Sequence, residues 1–176
     1  DLSSYVTHLG LKFPALKEVD KINAKLFQES GYAVIDWPGA AHRLIADVAH
    51  IGPAYQPGHG HADTLSCELS LFGQRVLVNS GISLYDKTDE RQRQRSTAAH
   101  NTIEVDGYNS SEVWAGFRVA KRALPFGVEM NIENQQVRLN ALHDGYHRLS
   151  GKVTHQRQWI AASGQLSIID ELYGRY

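Results

Sequence analysis

Short runs of alternating apolar and polar residues recur from residue 32 to residue 172 of this 176-residue chain. Between Thr64 and Phe72, leucine or cysteine occupies every second position and polar residues lie between them. Side chains of a strand point alternately to its two faces, so this run predicts a half-buried strand. Comparable runs predict further strands at 32–36, 43–48, 75–78, 102–106, 127–132, 136–142, 153–161 and 165–172.

Glycine, asparagine, aspartate and serine separate most of these runs. Many short strands joined by such turn residues predict an all-β fold, an antiparallel β-sandwich of two packed sheets. We expect the apolar residues of the runs, Ile45 and Val76 among them, to form the core between the sheets.

The N-terminal residues follow a different pattern. Apolar residues of the 13–29 segment are spaced by three or four, and Pro14 suits a first helical turn, so a short helix is predicted there. We therefore divide the chain into an N-terminal linker and helical segment, 1–30, and a β-sandwich domain, 31–176. The chain starts at Asp1 and stops soon after an apolar run, which we interpret as truncation of a longer protein at both ends.

Composition excludes several classes of protein. With 18 basic and 19 acidic residues the net charge is −1, which argues against a non-specific nucleic-acid binder. No apolar run approaches the roughly 18 residues needed for a membrane span. Cys67 is the only cysteine, so neither an intrachain disulfide nor a thiolate metal cluster can form.

Histidine is abundant, with nine residues, and two of them lie close together in Gly58-His59-Gly60-His61. On extended backbone, His59 and His61 would point the same way and could bind one metal ion. A third ligand is needed, and His100 or the amide oxygen of Asn79 is a candidate. The alternative is that both histidines only hydrogen-bond the backbone of a glycine-rich loop.

A long polar segment, 83–100, is predicted as a loop between strands. If it is extended, Arg91, Arg93 and Arg95 share one face and could hold an anionic substrate, because guanidinium groups pair with carboxylate and sulfate. Tyr85 could act as an acid or base, or stack on a sugar ring. A solvated loop without a binding role is the alternative.

Four segments together resemble the heparinase II/III-like family of polysaccharide lyases. They are Gln56–Thr64, Glu90–Thr102, Val105–Gly107 and Ser111–Trp114. The resemblance covers about residues 31–172. It implies an antiparallel β-sandwich that follows an N-terminal (α/α) toroid, and the toroid is missing from this chain.

The resemblance also implies an activity and site roles. The family cleaves acidic polysaccharides such as heparan sulfate, other glycosaminoglycans and alginate by β-elimination. His59 would be the catalytic histidine, and His61 and His100 would bind a structural zinc ion. The family's third ligand is an aspartate where this chain has Asn79, which implies a weaker zinc site, a water ligand in its place or no metal. The main catalytic tyrosine lies in the toroid, so we expect the fragment alone to be inactive.

Two other functions stay open at this stage. One is a non-catalytic carbohydrate-binding or structural module, and the other is a cupin-like metal enzyme, since cupins also use His-x-His. The expected partners are an acidic polysaccharide or oligosaccharide and the missing toroid domain, with no nucleic acid. The expected location is the bacterial periplasm or cell envelope, with the cytoplasm as the alternative.

Overall fold

The computed structural model describes residues 21–175, which form two main antiparallel sheets. The first sheet has five strands in sequential order, each paired with the next. These are β1 (Asn23–Phe27), β2 (Tyr32–Trp37), β3 (His42–Asp47), β4 (Cys67–Leu71) and β5 (Gln74–Leu77). A helix, α1 (Asp89–Arg95), and a two-stranded ribbon of β6 (Val113–Trp114) and β7 (Arg118–Val119) follow. The second sheet has the order β11-β10-β9-β8, from β8 (Pro125–Glu133), β9 (Gln136–Tyr146), β10 (Val153–Ala162) and β11 (Gln165–Tyr173).

The core lies between the two sheets. Leu44, Leu69, Leu139 and Trp159, which come from β3, β4, β9 and β10, belong to one buried cluster and are at most 9% exposed. Trp37 Nε1 also donates a hydrogen bond across the core to the carbonyl of Ala162, at 2.9 Å. The predicted all-β sandwich is therefore confirmed.

The helix predicted for residues 13–29 is wrong where the structure describes it, because Asn23–Phe27 form strand β1. Residues 13–20 of that prediction lie outside the described residues. Ile22, Ala24 and Leu26 pack against the core, and this spacing of two is that of a strand. Ile22 and Leu26, four residues apart, also fit a helical spacing, and the pairing of β1 with β2 decides in favour of the strand.

Two details of the predicted β pattern also differ. The strand predicted at 102–106 is absent from the described residues, where only an isolated bridge joins Val105 to Tyr108. Ile45 and Val76 are 38% and 51% exposed and do not join the core. Leu44 and Ala46, the residues on either side of Ile45 in β3, point inward instead, as alternation requires.

The polar segment 83–100 contains a helix rather than an extended loop. The side chain of Thr88 caps α1 by accepting a hydrogen bond from the amide of Arg91. Asp89 and Glu90 occupy the first turn and arginines the last, which suits the helix dipole. Among the described residues, no helix is long and apolar enough to cross a membrane.

Candidate functional site

Three side chains that can bind a metal converge beside the first sheet. His61 and Asp63 lie in the connection from β3 to β4, and His100 follows α1 and a short 3-10 turn. One donor atom from each lies within 4.8 Å of the other two. His61 Nδ1 and His100 Nε2 are 3.2 Å apart. The expected convergence of His61 and His100 is thus present, and Asp63 joins them.

This donor set fits zinc. Two histidines and one carboxylate leave a fourth position of a tetrahedral site for water or a further ligand. Nitrogens bound to one tetrahedral zinc ion at about 2.0–2.1 Å are roughly 3.3 Å apart, close to the spacing of the two imidazoles. Burial, aided by nearby positive groups, lowers the pKa of His61 to about 4, and burial likewise lowers that of His100 to about 4. Both rings are therefore neutral near pH 7, as metal binding requires.

A second carboxylate lies close to Asp63. Burial, and then the charge of Asp47, raises the pKa of Asp63 to about 7. Burial also raises the pKa of Asp47 to about 6. Tyr32 lies against this pair, and the charge of Asp47 raises the pKa of its phenol to about 12. A cation near Asp63 would relieve the cost of this buried negative charge.

Asn79 lies beside these groups but has a different contact. It lines the same groove as His61 and Asp63. Its side-chain oxygen accepts a hydrogen bond from the amide of Gly81 at 2.8 Å, which forms a local turn. The carboxylate that the sequence lacks at position 79 is thus available from Asp63. Sequence reasoning missed Asp63 as a candidate ligand, although it comes only two residues after His61.

A groove of about 950 Å³ passes over this cluster, and His59 lies on its wall. His59 is exposed, and its ring makes T-shaped contacts with the rings of Tyr85 and Phe117 at centroid distances of 5.7 and 5.9 Å. The rings of Tyr85 and Phe117 are nearly parallel, at 5°. An exposed histidine thus lies beside exposed aromatic surface, which suits sugar rings.

The loop that carries both histidines turns at residues 58–59 and is not extended there, so the predicted common direction of His59 and His61 is wrong. His59 contacts the aromatic rings, whereas His61 contacts His100. A side chain at Gly60 would meet Ile51 Cγ1 at 2.7 Å, so only glycine fits this close approach.

The guanidinium group of Arg95 binds this loop through hydrogen bonds. Its Nε and Nη2 donate to the carbonyl of Gly60 at 3.1 and 2.9 Å, and its Nη1 donates to the carbonyl of Gly116 at 2.7 Å. Thr97 Oγ1 donates to the carbonyl of Ala62 at 2.7 Å. The residues on both sides of His61 are therefore fixed by the end of α1 and the turn after it.

The prediction that three arginines share one face of an extended segment is wrong, because residues 89–95 are helical. Arg91 and Arg95 are fully buried on one side of α1, where their groups face backbone carbonyls rather than the groove. Arg91 also lies against the rings of Phe117 and Tyr85, at 4.6 and 5.0 Å. Arg93 is exposed and pairs with Glu90 at 2.6 Å. The helix cap at Thr88 was the sequence signal for this arrangement.

Comparisons with known proteins agree with this architecture. The family model described as Heparinase II/III-like, C-terminal, matches residues 20–175. A solved heparinase III structure is 21% identical, with a TM-score of 0.68 over 97% of this chain and 24% of that chain. A heparan sulfate lyase, HepC from Pedobacter heparinus, is 18% identical, with a TM-score of 0.67 and the same coverage. The chain therefore spans about a quarter of the length of these solved proteins. No curated protein matches it significantly.

Proposed function

The chain belongs to the heparinase II/III-like, C-terminal family, and from this premise we propose that it is the β-sandwich domain of a lyase. The lyase would cleave acidic polysaccharides that contain uronate, by β-elimination. One observation carries the proposal. An exposed histidine, His59, lies on the wall of a 950 Å³ groove, next to aromatic rings and a cluster of metal-binding side chains.

The chemistry of β-elimination explains why such a groove would be useful. A base removes the C5 proton of the uronate, the electrons form the C4–C5 double bond, and the C4–O bond breaks as the leaving oxygen gains a proton. The enzyme must also stabilise the negative charge that develops on the uronate carboxylate. We assign His59 to proton transfer or to neutralisation of this charge, because it is exposed to the groove.

Tyr85 and Phe117 are assigned to substrate binding. Tyr85 is 53% and Phe117 42% exposed, and both rings touch His59. A sugar ring stacked on this surface would bring its reacting carbon close to the histidine. Arg93 is the one arginine of α1 whose group is exposed, so it is the remaining candidate from that helix for an anionic substrate.

We propose zinc as the metal at His61, Asp63 and His100. Bound there, zinc would serve as a structural ion that ties the β3–β4 connection to the segment after α1. The chain's own residues prepare the site, since burial keeps both imidazoles neutral. We assign Asn79 to the outer part of the site rather than to the ligands, since its side-chain oxygen accepts a hydrogen bond from the amide of Gly81.

The test uses the longer protein that this domain implies, with an N-terminal toroid, beside the 176-residue chain alone. Both are incubated with heparan sulfate and with alginate, and the absorbance of the unsaturated product is followed. We expect turnover by the longer protein and little or none by the isolated domain. Absence of turnover by the longer protein on every uronate glycan tried would refute the lyase proposal.

A carbohydrate-binding module without chemistry is the second candidate. The exposed rings of Tyr85, Phe117 and Trp114 favour it, because stacking alone can bind sugars. Binding of a uronate oligosaccharide by the longer protein, without an unsaturated product, would support this function. The cupin-like alternative is set aside, because the model that matches residues 20–175 describes a different family.

We also propose that the longer protein works in the bacterial periplasm or cell envelope, where extracellular acidic polysaccharides are accessible. Cell fractionation with an antibody against this domain tests the location. Recovery only from the cytoplasmic fraction would contradict it.

A further inference from the structure

A buried network of ionisable side chains lies in the second sheet, among residues that do not line the groove. It consists of His143 on β9, His155 and Arg157 on β10, and Asp170 on β11. Both histidines are fully buried and Arg157 is 5% exposed. In the strand register, His155 lies opposite His143 and Arg157 lies opposite Asp170. Burying ionisable groups is unfavourable unless their polar atoms are paired. The hydrogen bonds among these four side chains therefore decide whether the network is stable.

The hydrogen bonds of the network assign each proton. The amide of Gly145 donates to His143 Nδ1 at 3.0 Å, so Nε2 of this neutral ring carries the proton. His143 Nε2 then donates to His155 Nδ1 at 3.1 Å, and His155 Nε2 donates to Asp170 Oδ1 at 2.6 Å. The chain of donors therefore ends on a carboxylate, which fixes the position of Asp170.

Asp170 in turn orients Arg157. Nε and Nη2 of the guanidinium donate to the two carboxylate oxygens at 2.6 and 2.9 Å. A bidentate pair of this kind fixes the plane of the guanidinium group. The remaining nitrogen, Nη1, therefore points in one direction, out of the second sheet.

Nη1 of Arg157 reaches the two segments that carry the metal-binding side chains. It donates to the carbonyl of Leu65 at 2.8 Å and to the carbonyl of Asn101 at 2.5 Å. Leu65 comes two residues after Asp63, and Asn101 comes directly after His100. One nitrogen of the second sheet thus joins the loop of Asp63 to the loop of His100.

The backbone at Leu65 shows that this contact holds an unfavourable conformation. Leu65 is fully buried and has a φ of 62°, in the left-handed region that leucine rarely adopts. Such a conformation persists only when the surrounding structure imposes it. Arg157 binds the carbonyl of this residue, so it helps to hold the turn that leads from Asp63 into β4.

We propose that Arg157 is a positioning residue for the metal site. Oriented by Asp170 and the two histidines, it sets the spacing between the loop of Asp63 and the loop of His100. The consequence for zinc affinity rests on the function proposed above, whereas the effect on the two loops does not.

The test compares the wild-type chain with Arg157→Lys and Asp170→Asn. Lysine keeps the positive charge, but it cannot make the bidentate pair and bind both carbonyls at once. Trp37→Phe is the matched control, since it removes a partly buried hydrogen bond between the sheets at Ala162, away from both loops. Zinc affinity is measured by competition with a chromophoric chelator. Amide hydrogen exchange of the metal-free proteins is measured over residues 61–66 and 97–103, and thermal melting verifies folding.

We expect Arg157→Lys to weaken zinc binding about tenfold or more, as loss of a residue that orients ligands commonly does. We also expect faster amide exchange in both segments of Arg157→Lys. The increase in exchange rate should be smaller in Asp170→Asn and absent in Trp37→Phe. Unchanged exchange in Arg157→Lys, or an equal effect in Trp37→Phe, would overturn the proposal. If wild type binds no zinc but Arg157→Lys speeds exchange in both segments, the metal site fails and the positioning role stands.

Discussion

His61 Nδ1 lies 3.2 Å from His100 Nε2, although 39 positions separate the two residues in the chain. Burial holds the pKa of each ring near 4, so neither carries a charge at neutral pH. Two neutral imidazoles at this distance share either a proton or a metal ion. If the two rings bind one zinc ion, at least one further protein ligand is needed.

We predict that Asp63, rather than Asn79, is the third zinc ligand. Asp63→Ala should lower zinc affinity more than about 100-fold, since a lost ligand costs at least as much as a lost orienting residue. Asn79→Ala should change it little, because its oxygen is bound to the amide of Gly81. Elemental analysis should find about one zinc per wild-type chain and none in His61→Ala. A larger loss in Asn79→Ala than in Asp63→Ala would reverse the assignment.

His59 is predicted to be required for turnover by the longer protein. His59→Ala should lower the rate of product formation about 100-fold or more, the usual effect of losing a positioned acid or base. His50→Ala is the control, because His50 is an exposed histidine of the same groove. The rate is measured from the absorbance of the unsaturated product. Comparable rates for wild type and His59→Ala would remove His59 from the mechanism.

Arg95 and Arg93 should differ sharply in their effect on stability. Arg95→Ala removes both guanidinium donors from the carbonyl of Gly60 and leaves the carbonyl of Gly116 with Arg91 Nε as its remaining side-chain donor, and should lower the free energy of unfolding by at least about 2 kcal/mol. Arg93→Ala breaks only an exposed pair with Glu90, and should leave the urea midpoint unchanged. Urea denaturation of the metal-free variants measures both. Equal midpoints for the two variants would show that Arg95 does not hold the loop.

Acid should destabilise the metal-free chain through His143. Burial lowers the pKa of His143 to about 3 in the folded protein, against about 6.5 for an unfolded histidine. Between these values the unfolded state binds a proton that the folded state does not, so stability falls as pH falls. His143→Gln should reduce this slope by about one proton, or about 1.4 kcal/mol per pH unit. Urea unfolding from pH 7 to pH 4.5, with a chelator present, measures the slopes, and equal slopes would contradict the prediction.

Local sequence patterns were enough to identify a strand where one face of the segment is buried. The alternation in 136–142 and 153–161 identified strands that the structure extends to Gln136–Tyr146 and Val153–Ala162. Alternation is visible because each strand presents its apolar side to the same core. It fails at Ile45 and Val76, which are apolar and yet face solvent, since nothing in the sequence tells which side of a strand is covered.

The amino-acid sequence by itself determined the all-β class and most of the strands, and it indicated His59, His61 and His100 as candidate site residues. Only the tertiary structure decided that Arg95 is a buried clamp, that Asp63 joins the two histidines, and that Arg157 reaches Leu65 across 92 positions of chain. The physical reason is range. Strand alternation is a property of neighbouring residues, whereas burial, pKa and ligand spacing depend on segments that meet only when the two sheets pack.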